Sequence, residues 1–354
     1  MDLPCGTFSE NYAQDMGILR TKSQWITLIA FLVLLFACPL FFSDRMLTIL
    51  TIIGITIISV LGLSILNGYC GQISIGHAGF MAVGAYASGV LCAKLGWSFW
   101  AALPCAALAA GAVGLIFGLP SLKIKGFYLV MATIAAQFII VWLILQLRSI
   151  TGGADGLAVP RPSIGNFVFR SKSSYFYLVM IITCLGTFLA QNIIRTRAGR
   201  AFVAIRDNDL AAEVMGINLW AHKLLAFFIG CVYAGVAGSL LVHYVAYATL
   251  DQFPFMNSVW YLGMLIVGGM GNTTGAILGV VSLKLLDELV IIVGPMLSSF
   301  GAPPQAAASL GLIMRGLVII IFLIFEPRGL VHRWERVKAY FRLWPFAYRS
   351  NERG

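Results

Sequence analysis

Charged residues are absent from eight long stretches of this chain, at 24–43, 46–93, 95–122, 126–147, 173–194, 224–250, 252–283 and 289–314. A helix crosses a hydrocarbon layer with about 20 apolar residues, and the 46–93 run holds two such lengths. Backbone in lipid must satisfy its own hydrogen bonds, so runs of this kind fold as helices packed on helices. Only 11% of the 354 residues are charged, against about a quarter in a soluble domain. An aqueous globular fold is excluded. The runs predict an all-α, polytopic membrane protein with about ten transmembrane helices, near 24–43, 46–66, 72–93, 97–119, 127–147, 175–194, 223–247, 254–271, 273–294 and 303–325.

The net charge of +10 does not mark a nucleic-acid binder, because the basic residues sit between apolar runs and in the tail. With both termini cytoplasmic, sixteen Lys and Arg fall inside and six outside (Arg45, Lys94, Arg148, Arg161, Arg170, Lys172). That asymmetry sets the orientation, and the 148–174 loop is its one discordant element. The chain then divides into a cytoplasmic segment 1–23, a permease domain 24–325 with a cytoplasmic loop 195–222, and a basic cytoplasmic tail 326–354. The first run reads as a span rather than a signal peptide, since the preceding segment is long and carries Asp2, Glu10 and Asp15. Seven cysteines without a CxxC pair read as small packing residues, and no metal site is expected. Small residues at helix-contact spacing, such as Gly114 with Gly118 and Gly230 with Ala234 and Gly238, predict close backbone approach.

Two segments stand out. In Asn67–Phe80, glycines at 68, 71, 76 and 79 alternate with polar Gln72, Ser74 and His77. Two readings fit: a broken helix lining a polar path near the midplane, or a tight cytoplasmic turn with His77 hydrogen-bonded in the bundle. The second segment is Arg206–Ile217. Asp207 is a candidate N-cap, Leu210, Ala211, Val214 and Met215 form one apolar face at helical spacing, and Gly216 is a natural stop. Its near balance of acids and bases makes it a poor binder of anionic lipid. Docking into a groove on a partner is the favoured reading.

The Arg206–Asn218 run, with Lys223–Phe227 and Ala234–Gly238 after it, resembles the coupling region of permease subunits from ATP-driven branched-chain amino-acid importers, on the LivM-like side of that family. Gly68–Tyr86, Gly152–Leu157, Gly268–Gly271 and Pro327–Leu330 match in the same order, so the resemblance runs from about 48 to 330. It implies a homologous second permease subunit, two cytoplasmic ATPase subunits using ATP and Mg, and an extracytoplasmic substrate-binding protein, with lipid around the bundle. It also implies that Arg206, Asp207, Ala211, Ala212, Glu213 and Gly216 meet an ATPase. The chain has no GxxxxGK[ST] phosphate loop of its own and is expected to bind no cofactor. Gly71, Gln72, Ser74, Gly76, His77, Gly268, Gly269, Gly271 and Arg315 are the candidate pathway residues.

Ionisable residues inside spans are functional suspects. Lys284 and Glu288 at helix-neighbour spacing predict a structural ion pair near the outer surface. Arg315, near mid-depth, has three roles open: snorkelling, pairing with Asp287, or meeting a substrate carboxylate. The four histidines are scattered away from any nucleophile or ligand set, which argues against an enzyme. Three functions remain: an amino-acid importer subunit, the same machine carrying urea, short amides or other small organic acids, and a stand-alone secondary transporter.

Overall fold

The computed structural model describes residues 22–121, 126–165, 167–299, 304–325 and 329–343. Ten helices stand where ten spans are expected. They are α1 (Lys22–Phe41), α2 (Asp44–Leu63), α3 (His77–Ala93), α4 (Phe99–Ser121), α5 (Phe127–Gln146), α6 (Lys172–Arg195), α9 (Leu219–Val245), α10 (Phe255–Gly268), α11 (Thr273–Ser299) and α12 (Pro304–Phe325). Two short helices, α7 (Arg197–Asp207) and α8 (Asp209–Val214), fill the loop before α9, and α13 (Gly329–Leu343) follows α12. The tail therefore holds a helix that composition alone leaves open. The expected segment 1–23 lies almost wholly outside the described residues.

Among the described residues, five helices are long and apolar enough to cross a membrane on their own: Asp44–Tyr69, Phe99–Leu119, Phe127–Gln146, Lys172–Arg195 and Leu219–Val245. The first of these is wholly buried from Ile53 onward, and α9 is buried at most positions between Ala226 and His243. They cross at the centre of the bundle, where a Cβ on Gly62 would fall 2.7 Å from the Gly230 carbonyl oxygen. The small-residue pattern does what its spacing predicts: Gly114 lies against Cys231, Gly118 against Phe227, and Gly238 against the Met81 backbone. In contrast, α1, α4, α5 and α12 turn many large apolar side chains outward, as lipid-facing helices do.

The connections alternate between two ends. One end gathers 64–76, the α7–α8 loop and the Gly269–Asn272 turn, and is called the basic end for Arg195, Arg197, Arg200, Arg206 and Lys223. At the opposite end, Leu157 and Ala158 pair antiparallel with Ala248 and Tyr247. The ion pair expected between Lys284 and Glu288 is partnered differently. Glu288 on α11 meets Arg45 at the start of α2 at 3.2 Å, and Lys284 meets Asp287 at 3.9 Å. Glu288 thus ties two helices together instead of bracing its own.

Two of the ten helices are short. The 72–93 span is helical only from His77, which leaves α3 with 17 residues, and α10 has 14. A helix that crosses the hydrocarbon core needs about 20. Each is preceded by chain that is not α-helical, entering from opposite ends: residues 70–76 at the basic end before α3, and 246–254, with a 3-10 turn at Leu250–Gln252, at the other end before α10. These are the third and eighth of the ten, corresponding positions in two halves of five, as an inverted repeat requires.

Candidate functional site

The α2 helix ends in a π-turn, Ser64–Tyr69, and the chain then reverses at Gly71, whose φ of +72° a residue with a Cβ rarely adopts. Residues 72–76 climb back into the bundle as irregular chain. The heights of their contacts can be gauged at ~1.5 Å per helical residue. His77 Nε2 donates to the Ser59 carbonyl at 2.9 Å, and Ser59 stands ten residues before Tyr69. The Ala78 N–H donates to Ser258 Oγ at 2.8 Å, and Ser258 stands ten residues before Gly268. Both place the start of α3 about 15 Å above the basic end, near mid-depth. The two readings of this segment describe successive parts of it: a turn at 68–71, then a re-entrant stretch to 76.

Backbone at that depth has no water to satisfy it, and each open group costs several kcal/mol. Side chains from three helices supply the partners. Asn67 Oδ1 accepts from the Ser74 N–H at 3.1 Å, and Thr133 Oγ1 from the Ile75 N–H at 3.1 Å. Gln137 Oε1 accepts from the Gly79 N–H at 2.7 Å and from the Ser258 hydroxyl at 3.1 Å, while its Nε2 donates to the Phe253 carbonyl at 3.1 Å. One glutamine therefore serves both short helices, capping α3 and holding the chain that leads into α10. Thr133 and Gln137 face the break from α5 at i and i+4. A polar pair at that spacing in an apolar run was the signal available in the sequence, and reasoning from it missed them.

The candidate pathway residues do not form one cluster. Gly71 and Gln72 line a crevice of about 360 Å³ at the basic end, together with Cys70, Ile205, Arg206 and Lys223. The Gln72 side chain is 4% exposed and its amide has no hydrogen-bond partner, and the Ser74 hydroxyl has none either. Ser74, Gly76 and His77 rise from there to mid-depth. At Gly76 a Cβ would run into the Thr133 carbonyl oxygen. Gly268, Gly269 and Gly271 form the turn from α10 to α11, packed on Gly275, Gly329 and Gly68. Arg315 falls on α12, with its side chain outside the described residues.

The loop before α9 departs from its expected form. Asp207 closes α7 instead of capping the next helix. The cap of α8 is Asn208, whose side chain accepts from the Ala211 N–H at 3.0 Å. Buried Ala201, Phe202 and Ile205 anchor α7 to the bundle. On α8, Ala212 is buried, whereas Leu210, Val214 and Met215 are 67%, 87% and 82% exposed. Ala211, Glu213 and Gly216 are exposed beside them, and Gly216 has open space around it. A second polar cluster, unforeseen from sequence, lies toward the other end. His243 Nδ1 donates to the Pro160 carbonyl at 2.8 Å, so Nε2 accepts from Ser88 at 2.7 Å, and Ser239 donates to Ser88 at 2.8 Å.

A bundle of helices at membrane length, two of them broken at mid-depth, with an apolar helix displayed at one end, defines a polytopic membrane permease. The family model for the branched-chain amino acid transport system permease component matches residues 45–323, and the chain belongs to that family. The high-affinity branched-chain amino acid transport permease LivM of Escherichia coli K12 is 30% identical over 335 residues, covering 88% of this chain and 76% of that one. A probable LivM of Methanocaldococcus jannaschii is 26% identical over 62% of this chain and 64% of that one, and BraD of Pseudomonas aeruginosa is 30% identical over 51% and 58%. The autoinducer 2 import permease LsrC of Yersinia pseudotuberculosis matches more weakly, at 24% over 51% of this chain and 49% of that one. No solved structure matches significantly.

Proposed function

We propose that this chain is the membrane-spanning subunit of an ATP-binding-cassette importer in a bacterial inner membrane, passing branched-chain amino acids inward unaltered. It pairs with a homologous permease, takes substrate from an extracytoplasmic binding protein and is driven by two cytoplasmic ATPase subunits. Ten crossings with the basic end inside put both termini in the cytoplasm. The observation that carries the reading is the apolar face of α8. Leu210, Val214 and Met215 stand out at the basic end, exposed among the described residues. Exposed apolar surface at one point of a polar end marks a protein contact. The chain carries no phosphate loop, and on this reading ATP is handled by that partner.

The amino-acid substrate class is favoured over urea, short amides or other small organic acids because the LivM match, a branched-chain amino acid permease, is both more identical and longer than the match to the autoinducer 2 permease LsrC. The test is uptake of labelled leucine by proteoliposomes holding the complete complex. Leucine accumulation that requires internal ATP and the binding protein is expected. Uptake by the chain alone, driven by an ion gradient without ATP, would establish a secondary transporter instead.

A further inference from the structure

Arg206 is already engaged within its own chain. Its side chain is 36% exposed and reaches back to the backbone at Gly68, whereas Leu210, Val214 and Met215 on and beside α8 lie open. Nε and Nη2 both donate to Asp207 Oδ1, at 3.0 and 2.9 Å, which orients the guanidinium. The remaining nitrogen, Nη1, donates to the Gly68 carbonyl at 3.0 Å.

Three glycines from two segments make room for this side chain. Gly68 belongs to the π-turn ending α2 and supplies the acceptor. Gly71 lies under the arginine stem, where an added Cβ would come within 2.9 Å of Arg206 Cγ. Gly271, in the turn from α10 to α11, lies under the guanidinium, where a Cβ would come within 2.7 Å of Nη1. The first two flank the chain leading into α3; the third follows the end of α10. One side chain thus touches the basic-end connections of both short helices. No other residue with a charge-assisted hydrogen bond to backbone bridges them among the described residues.

We propose that Arg206 is a positioning residue that transmits movement of the α7–α8 pair to the re-entrant segment at 70–76 and to the α10–α11 turn, and that it makes no contact with the ATPase. The inference rests on the function proposed above. A partner seated on Leu210, Val214 and Met215 moves α8, α8 follows α7 after the single residue Asn208, and Arg206 lies in the last turn of α7. The strength of the link is that of a charge-assisted hydrogen bond to a buried carbonyl, held in aim by Asp207.

The test uses the complete complex in proteoliposomes, reading three quantities: ATPase subunits retained, ATP hydrolysed, and leucine taken up. In Arg206→Ala, ATPase retention should stay at the wild-type level while leucine taken up per ATP falls about tenfold, the order of one lost charged hydrogen bond. Arg206→Lys, which keeps the charge but not the oriented fork, should fall between. A merely structural role would lower assembly, hydrolysis and uptake together and leave their ratio unchanged. Such proportional losses, failure of both variants to assemble, loss of ATPase subunits from an intact permease, or an unchanged ratio would each overturn the inference. Absence of ATP-driven uptake in the wild type would instead sink the function it rests on.

Discussion

A side chain added at Gly76 and one added at Gly71 meet different obstacles. At Gly76 the neighbour is the Thr133 carbonyl on α5, backbone that cannot move without shifting a helix. At Gly71 it is the flexible stem of Arg206, and the strain lies in the local φ of +72°, worth about 1–2 kcal/mol for a residue with a Cβ. Gly76→Leu is therefore expected to lower the amount of assembled permease sharply, as overpacking by about 3 kcal/mol does. Gly71→Ala should assemble and lose transport. Membrane abundance and uptake measured side by side decide it, and normal abundance of Gly76→Leu would mean the chain at 72–76 is looser than its contacts indicate. Glycine spacing in the sequence announced a special backbone in this region. It could not say which glycine faces a carbonyl and which a side chain, because both obstacles come from residues more than fifty positions away.

The α7–α8 pair shows how far an element can be read from its own residues. The apolar positions Leu210, Val214 and Met215 were legible as a face, and they are exposed together. The boundary was not. Asp207 and Asn208 are equally good caps, and the choice fell to Asn208 because burial of Ala201, Phe202 and Ile205 draws Asp207 into the helix before it. That earlier helix was hidden by its three arginines, which read as a solvated loop. If α8 is the docking face, Leu210→Asp and Glu213→Lys should each strip the ATPase subunits while the permease reaches the membrane in normal amount. Full co-purification of the ATPase with both variants would remove α8 from the interface.

At the scale of the molecule, number and placement of the crossings followed from uncharged runs, since lipid leaves a chain few alternatives. The lengths of the two short helices did not follow, because 46–93 and 252–283 are uncharged throughout and hydropathy does not distinguish helix from buried irregular chain; a break at Asn67–Phe80 was legible only as one of two readings. Asn67, Thr133, Gln137 and Ser258 mark the difference, as side-chain partners for backbone that the helix ladder leaves open. The proposed topology, resting on the charge asymmetry, has the basic end in the cytoplasm. An impermeant thiol reagent added to intact cells should label a cysteine introduced in the 148–174 loop and spare one introduced at Leu210. Labelling of the second from outside would invert the topology.

The partners of the re-entrant segment also set an order of events during synthesis. Asn67 is made before Ser74, and Thr133 and Gln137 are made some sixty residues after the groups they satisfy. Ser258, which receives the Ala78 N–H, emerges 180 residues later. An N-terminal fragment ending before α10 would carry an open peptide group into the bilayer core, and the first half of the protein has to wait, incomplete, for the second half to arrive and close it.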